Sequence, residues 1–194
     1  MGKRLVIAEK PSVALDMANA LGPYEAAQGQ EWYETDDFVI TYAVGHLLEL
    51  VAPEVYNEKW KNWSLKQLPM LPAAFKYTPR DKKAATRLKI IKKLAKRKDV
   101  DGIINGCDAG REGEHIFRTI LGELNTDLPT QRLWLSSMTE GAITRGFDEL
   151  RDSERYDSLA AAAASRSPAP PPAQSWSSRR CPRRGTPLRP RRTR

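Results

Sequence analysis

Val100 to Glu114 reads VDGIINGCDAGREGE, and the interpretation of this stretch decides the fold. Val100 to Gly106 is a short, mostly apolar run of the kind that forms a buried strand, and the segment from Glu112 to Leu124 reads as the helix after it. A strand feeding directly into a helix is the basic unit of an α/β sheet. Asp108 then lies at the carboxyl end of the strand and Glu112 in the first helical turn. Ligand sites in open parallel sheets form at such carboxyl ends. Gly106, Gly110 and Gly113 are expected to let the backbone make the tight turn between the two elements.

The same pattern occurs upstream. Lys3 to Ala8 (KRLVIA) is a β-branched apolar run that ends at Glu9. Pro11 and Ser12 follow, then residues at helical spacing up to Leu21, closed by Gly22-Pro23. Glu31 to Val44 alternates around Thr35-Asp36-Asp37, which predicts a hairpin holding Tyr42. Residues 51 to 80 read as irregular, with Pro53, Pro69, Pro72 and Pro79. Asp81 to Lys98 is a basic amphipathic helix with Leu88, Ile91, Leu94 and Ala95 on its apolar face and a solvated charged face. Gln131 to Ser136 reads as a third strand, and Thr139-Glu140 opens a helix carrying Ile143, Phe147 and Leu150. Strands alternating with helices predict an α/β fold: a mostly parallel sheet flanked by helices, with a hairpin insertion.

Charge is unevenly distributed. The net charge is +8, but residues 167–194 hold eight arginines and no acid, so the remainder is neutral. DNA affinity in the folded part must therefore come from a local patch and not from global charge. The seven prolines of that tail and its near-lack of large aliphatics predict disorder. No apolar run approaches the roughly 18 residues that cross a membrane, and the apolar stretch after Arg4 is too short for a secretory signal. A soluble, cytoplasmic protein is expected. Cys107 and Cys181 lie far apart without CxxC spacing, so neither a disulfide framework nor a zinc site is indicated. Cys107 reads as a small buried residue.

If the first and second strands are neighbours, Glu9, Asp108 and Glu112 converge. Three like charges at short range need a cation, and an all-oxygen set suits Mg²⁺. Arg111, among the acids, is placed to reach a phosphate as a bidentate donor. The plainer alternative is a helix whose N-terminal acids only complement its dipole. His46 is read as a structural hydrogen-bonding residue and His115 as a residue beside the acidic box. Ser136 and Ser137 either contact phosphate or cap the following helix.

Five motifs together resemble a known family. They are Glu9 to Ser12 (EKPS), Gly45-His46-Leu47, Trp63-Ser64-Leu65 with Leu68-Pro69, Asp108 to Glu114 (DAGREGE), and Arg132 to Thr139 (RLWLSSMT). They resemble, in order, the N-terminal Toprim domain of type IA DNA topoisomerases of the bacterial topoisomerase III group, over about residues 3 to 166. The resemblance implies transient single-strand DNA cleavage and strand passage. It implies that Glu9 assists proton transfer and helps hold Mg²⁺, with Asp108 and Glu112 as further metal-binding acids. It also implies Lys10 as a stabiliser of the cleavage transition state, Arg111 as a neighbour of the DNA backbone, and Trp63 as a contact to single-stranded DNA.

Two departures are visible. Many Toprim domains carry Asp-x-Asp, whereas Gly110 stands in the second position here. None of Tyr24, Tyr33, Tyr42, Tyr56, Tyr77 or Tyr156 falls in the family's nucleophile motif, so the nucleophile is expected to be absent. The expected organisation is a Toprim domain over 1–150, the start of a helical domain over 151–166, and an Arg/Pro-rich tail over 167–194 that reads like an out-of-frame translation. Such a chain is expected to be inactive alone. The alternatives are a stand-alone Toprim nuclease that uses metal-activated water, and a non-catalytic DNA-binding fragment.

Overall fold

The structure is a computed structural model that describes residues 2–61 and 65–164. In chain order the elements are β1 (Lys3–Ala8), α1 (Pro11–Ala20), β2 (Glu25–Ala26), β3 (Trp32–Glu34), β4 (Phe38–Tyr42), β5 (Leu48–Leu50) and α2 (Pro53–Tyr56). They continue with β6 (Tyr77–Pro79), α3 (Lys82–Ala95), β7 (Val100–Gly106), α4 (Arg111–Leu124), β8 (Thr130–Arg132), α5 (Glu140–Asp148), β9 (Arg151–Asp152) and α6 (Asp157–Ala164). Trp63, with its expected contact to DNA, and residues 165–194, with the expected tail, lie outside the described residues.

β1 is buried on both faces, and its two side-chain sets enter two different cores. Leu5 and Ile7 join Leu88, Ile91 and Leu94 of α3 and Ile116, Phe117 and Ile120 of α4. Val6 and Ala8 join Ala14, Met17 and Ala18 of α1 and Ile143 and Phe147 of α5. Successive strand residues point to opposite faces, so an apolar run without alternation demands cover on each side. The result is three layers, with the sheet between helix pairs.

Among the described residues the main sheet runs β2-β3-β4-β1-β7-β8-β9. β4, β1, β7 and β8 are parallel, while β2, β3 and β9 add antiparallel edges. The mostly parallel α/β class read from the sequence is therefore present, as is the hairpin, formed by β3 and β4 around Thr35 to Asp37. Ala8 pairs with Tyr42 on one side and with Gly106 on the other. The chain ends of β1, β4 and β7 thus emerge side by side.

The third strand is shorter than its sequence reads. It closes at Arg132, although Leu133 N–H still donates to Asn105 O at 3.0 Å. Its neighbour β7 turns away after Gly106, so Leu135 to Met138 have no ladder to join. The 51–80 segment is less irregular than expected, because β6 pairs antiparallel with β5 as a separate two-stranded sheet. The charged face of α3 is solvated except at Arg87, which is buried. Arg87 Nε donates to Tyr42 O at 2.7 Å, its Nη2 donates to Glu31 O and Thr41 Oγ1, and its guanidinium lies 3.7 Å from the centre of the Tyr42 ring.

A polar latch holds the opposite edge of the sheet. Glu34 of β3 receives both Nη groups of Arg97, at 2.7 and 2.8 Å, and Lys3 Nζ of β1 at 2.7 Å. Arg97 also pairs with Asp99 at 2.6 Å. Led by Arg97, with Lys3 also acting against burial, these bonds hold the Glu34 carboxyl at about 2, below its ordinary 4.5. A lowered carboxylate contributes stability that is complete above its unfolded value and lost as pH falls through the folded one. Thermal midpoints should therefore drop as pH falls from about 4.5 to about 2. Glu34→Gln should lower the midpoint at pH 7 and make the acid drop shallower.

Candidate functional site

Glu9 and Lys10 follow β1 directly, and Cys107 to Gly110 follow β7. Parallel pairing brings the two segments together. Lys10 Nζ lies 2.9 Å from Asp108 Oδ2 and 3.6 Å from Glu9 Oε1, so one ammonium sits between carboxylates from adjacent strand ends. The hydrogen bond to Asp108, then the Asp108 and Glu9 charges, raise the Lys10 pKa above its ordinary 10.5. Glu9 is only 8% exposed, and its Oε2 is buried with no hydrogen-bond partner.

Glu112 takes another direction. It lies in the first turn of α4, with its side chain 75% exposed, and its Oε1 meets His46 Nε2 at 2.8 Å. His46 follows Gly45, whose φ of +66° turns the chain leaving β4. The His115 ring stands 5.7 Å from that of His46, and burial first, His46 second, lower its pKa. The structure thus joins Glu9, Lys10 and Asp108 in one group and Glu112 with His46 in another. Among the described residues, no group of three or more His, Cys, Asp or Glu side chains is close enough to hold a metal ion. Arg111 is exposed at the start of α4. Cys107 is buried, with Sγ 3.6 Å from Ile7 O, and burial pushes its thiol pKa far up. It packs as its sequence context suggests.

The edge is also favourable for anions. α1 begins right after Lys10 and α4 right after Gly110, so two sets of free helix N–H groups open beside the acids. A cleft of about 460 Å³ is lined by Asp108 together with Met17, Trp134, Ser136 and Ser137. Ser137 Oγ also accepts from Thr139 N–H at 3.4 Å, so it borders the cleft and the start of α5 alike.

Among the three glycines of the turn, none adopts the left-handed backbone region, and the tight turn rests on close approach at Gly113. Gly110 is extended, with φ 174°, and a Cβ there would meet nothing within 4 Å. Gly113 is required for close approach: its Cβ would stand 2.2 Å from Asp108 O. The Asp108 turn is seated directly on the first turn of α4.

Sequence reading missed a buried polar cluster beneath this turn. Arg132, Glu114 and Asn105 are each fully buried. Glu114 Oε2 accepts from Asn105 Nδ2 at 2.9 Å and Oε1 from Arg118 Nε at 2.8 Å. Arg132 Nε stands 3.4 Å from Glu114 Oε2. The available signal was a charged residue at the end of a short strand, Arg132 directly before Leu133-Trp134-Leu135. It requires a buried counter-charge, which the last acid of the box supplies.

With this geometry established, the Toprim domain family pattern matches residues 4–138. The chain belongs to the Toprim family. It is 42% identical over 169 residues to a DNA topoisomerase 3 of Shouchella clausii, and 43% identical over 169 residues to one of Bacillus thuringiensis. Each match covers 87% of this chain and 23% of the relative, so the chain spans about a quarter of those proteins. Among solved structures it is similar to full-length topoisomerase I from Thermotoga maritima, with a TM-score of 0.51 and 20% identity over 82% of this chain and 23% of that one. That likeness carries the fold. The Toprim sheet seen here is thus of a topoisomerase III-like kind, and no described helix is long and apolar enough to cross a membrane.

The glycine geometry separates two substitutions in this Toprim domain. Gly113→Ala must displace backbone and should cost at least about 2 kcal/mol in urea unfolding. Gly110→Asp, which creates the Asp-x-Asp pattern at an open N-cap position, should change stability by less than about 1 kcal/mol.

Proposed function

We propose that this Toprim domain supports transient single-strand cleavage of DNA in a type IA topoisomerase, with Glu9, Lys10, Arg111, Asp108 and Glu112 as its working residues. The observation that supports this best is the Glu9–Lys10–Asp108 group formed by two adjacent parallel strand ends. The domain organisation we favour keeps Toprim over 1–150 and begins a second domain over 151–166, whose first residues, β9, still pair with β8 at the edge of the Toprim sheet.

The donor set fits Mg²⁺. Glu9 Oε2 is a buried carboxylate oxygen without a partner, and such an atom calls for a cation or a proton. Mg²⁺ binds through one or two carboxylates beside phosphate and keeps several waters, so a closed cage of three acids is unnecessary. Glu9 and Asp108 would hold it, with Glu112 contributing through the oxygen that His46 leaves free. When bound, the ion would neutralise phosphate charge during the displacement.

The remaining chemistry belongs to side chains. An ammonium has three donors, so Lys10 can keep Asp108 and still offer a hydrogen to a phosphoryl oxygen. Glu9, at the same strand end, would assist proton transfer to the departing deoxyribose oxygen. Arg111 would grip a neighbouring phosphate on the open edge where α1 and α4 start. Trp63 is proposed to stack on a base of single-stranded DNA. The nucleophilic tyrosine matches none of the six in this chain, so the 194-residue chain alone should relax no supercoiled plasmid.

Titration of the purified chain with Mg²⁺, followed by amide NMR shifts, should perturb Glu9, Lys10 and residues 107–112. Asp108→Ala should weaken that response about tenfold or more. Absence of any response near Glu9 would overturn the metal assignment. Mg²⁺-dependent plasmid nicking that is lost in Asp108→Ala would move the reading to a Toprim nuclease.

A further inference from the structure

Where β7 ends, its chain turns out of the sheet, and the carbonyls of Cys107 and Asp108 lose any ladder partner. The Cys107 carbonyl is buried and the Asp108 carbonyl half-buried, and main-chain oxygens withdrawn from water in this way need a donor. One side chain supplies it. Arg132 Nη1 donates to Cys107 O at 2.7 Å, Asn105 O at 3.0 Å and Leu133 O at 2.8 Å, and Nη2 donates to Asp108 O at 2.8 Å. These acceptors span the last turn of strand and the backbone of the residue whose carboxylate reaches Lys10.

We propose that Arg132 is a positioning residue that fixes the Asp108 turn, and with it the Glu9–Lys10–Asp108 group, through its grip on backbone carbonyls. The relevance of that group to metal and DNA rests on the function proposed above; the grip itself does not.

The competing explanation is that Arg132 only neutralises the buried Glu114. The geometry argues against it. Glu114 already has a cation in Arg118, at 2.8 Å, and a neutral donor in Asn105. By contrast, the Arg132 Nε meets Glu114 at a longer 3.4 Å and without hydrogen-bond alignment. Its aligned bonds all go to main-chain oxygens. The fork of a guanidinium spreads donors over several acceptors in one plane, whereas a lysine ammonium concentrates its charge at one point. Arg132→Lys therefore keeps charge balance and loses the grip.

Two measurements on the full chain test this. In the unaltered protein, the Arg132 Nη–H signals should be resolved by ¹⁵N NMR and exchange slowly with water; fast exchange would overturn the proposal without any variant. In Arg132→Lys, amide hydrogen exchange over residues 107–111 should accelerate about tenfold or more relative to β1 and α3, and the apparent Mg²⁺ affinity should fall about tenfold. Glu114→Gln, which keeps the carbonyl acceptors, should leave exchange at 107–111 within about threefold of the parent. Unchanged or uniformly raised exchange in Arg132→Lys, or local loosening in Glu114→Gln instead, contradicts positioning by the grip. If the parent chain shows no Mg²⁺ response, the proposed function fails while the exchange data still decide the role of Arg132.

Discussion

Parallel pairing of β1 with β7 is the constraint from which the site follows. Because Ala8 stands opposite Gly106, the residues after each strand leave the sheet at the same height, and Glu9, Lys10 and Asp108 are neighbours by construction. The pairing itself follows from side chains: β1 is apolar without alternation, so it is stable only with helices on both faces and strands on both edges. Core formation and site formation are thus one event. A slip of one residue in this register would exchange the two cores and separate the carboxylates.

Much of this was legible in the residues. KRLVIA and VDGIING mark the central strands because their apolar runs are short and end at Glu9 and Gly106, and the helices between them announce themselves by periodicity. The partnership of Glu9 with Asp108 could be stated only as a condition, since strand order is not local information. What the sequence hid were contacts made by atypical residues. Arg87 lies in a lysine-rich helix and looks solvated, yet three acceptors of the hairpin draw it inside. Arg132 sits in a strand whose polar neighbours give no hint that its targets are carbonyls.

Glu112 shows the other kind of gap. Its spacing from Asp108 suggests a third carboxylate aimed at a common centre, but helix geometry starts at Arg111 and turns Glu112 toward His46. The acids therefore form a tight pair with a lysine between them and a third member held aside by a histidine. Such an arrangement lowers the repulsion that three converged carboxylates would suffer. It leaves Lys10 shared between its two acids.

The central claim, that Glu9 and Asp108 flank one divalent-cation position, is tested most directly with Mn²⁺ as a paramagnetic substitute for Mg²⁺. Substoichiometric Mn²⁺ added to the isotopically labelled chain should broaden the amides of Glu9, Lys10 and Cys107 to Ala109 before any others. Broadening that begins at Asp36-Asp37 or along the Glu34–Asp99 edge, with Glu9 and Asp108 untouched, contradicts the account.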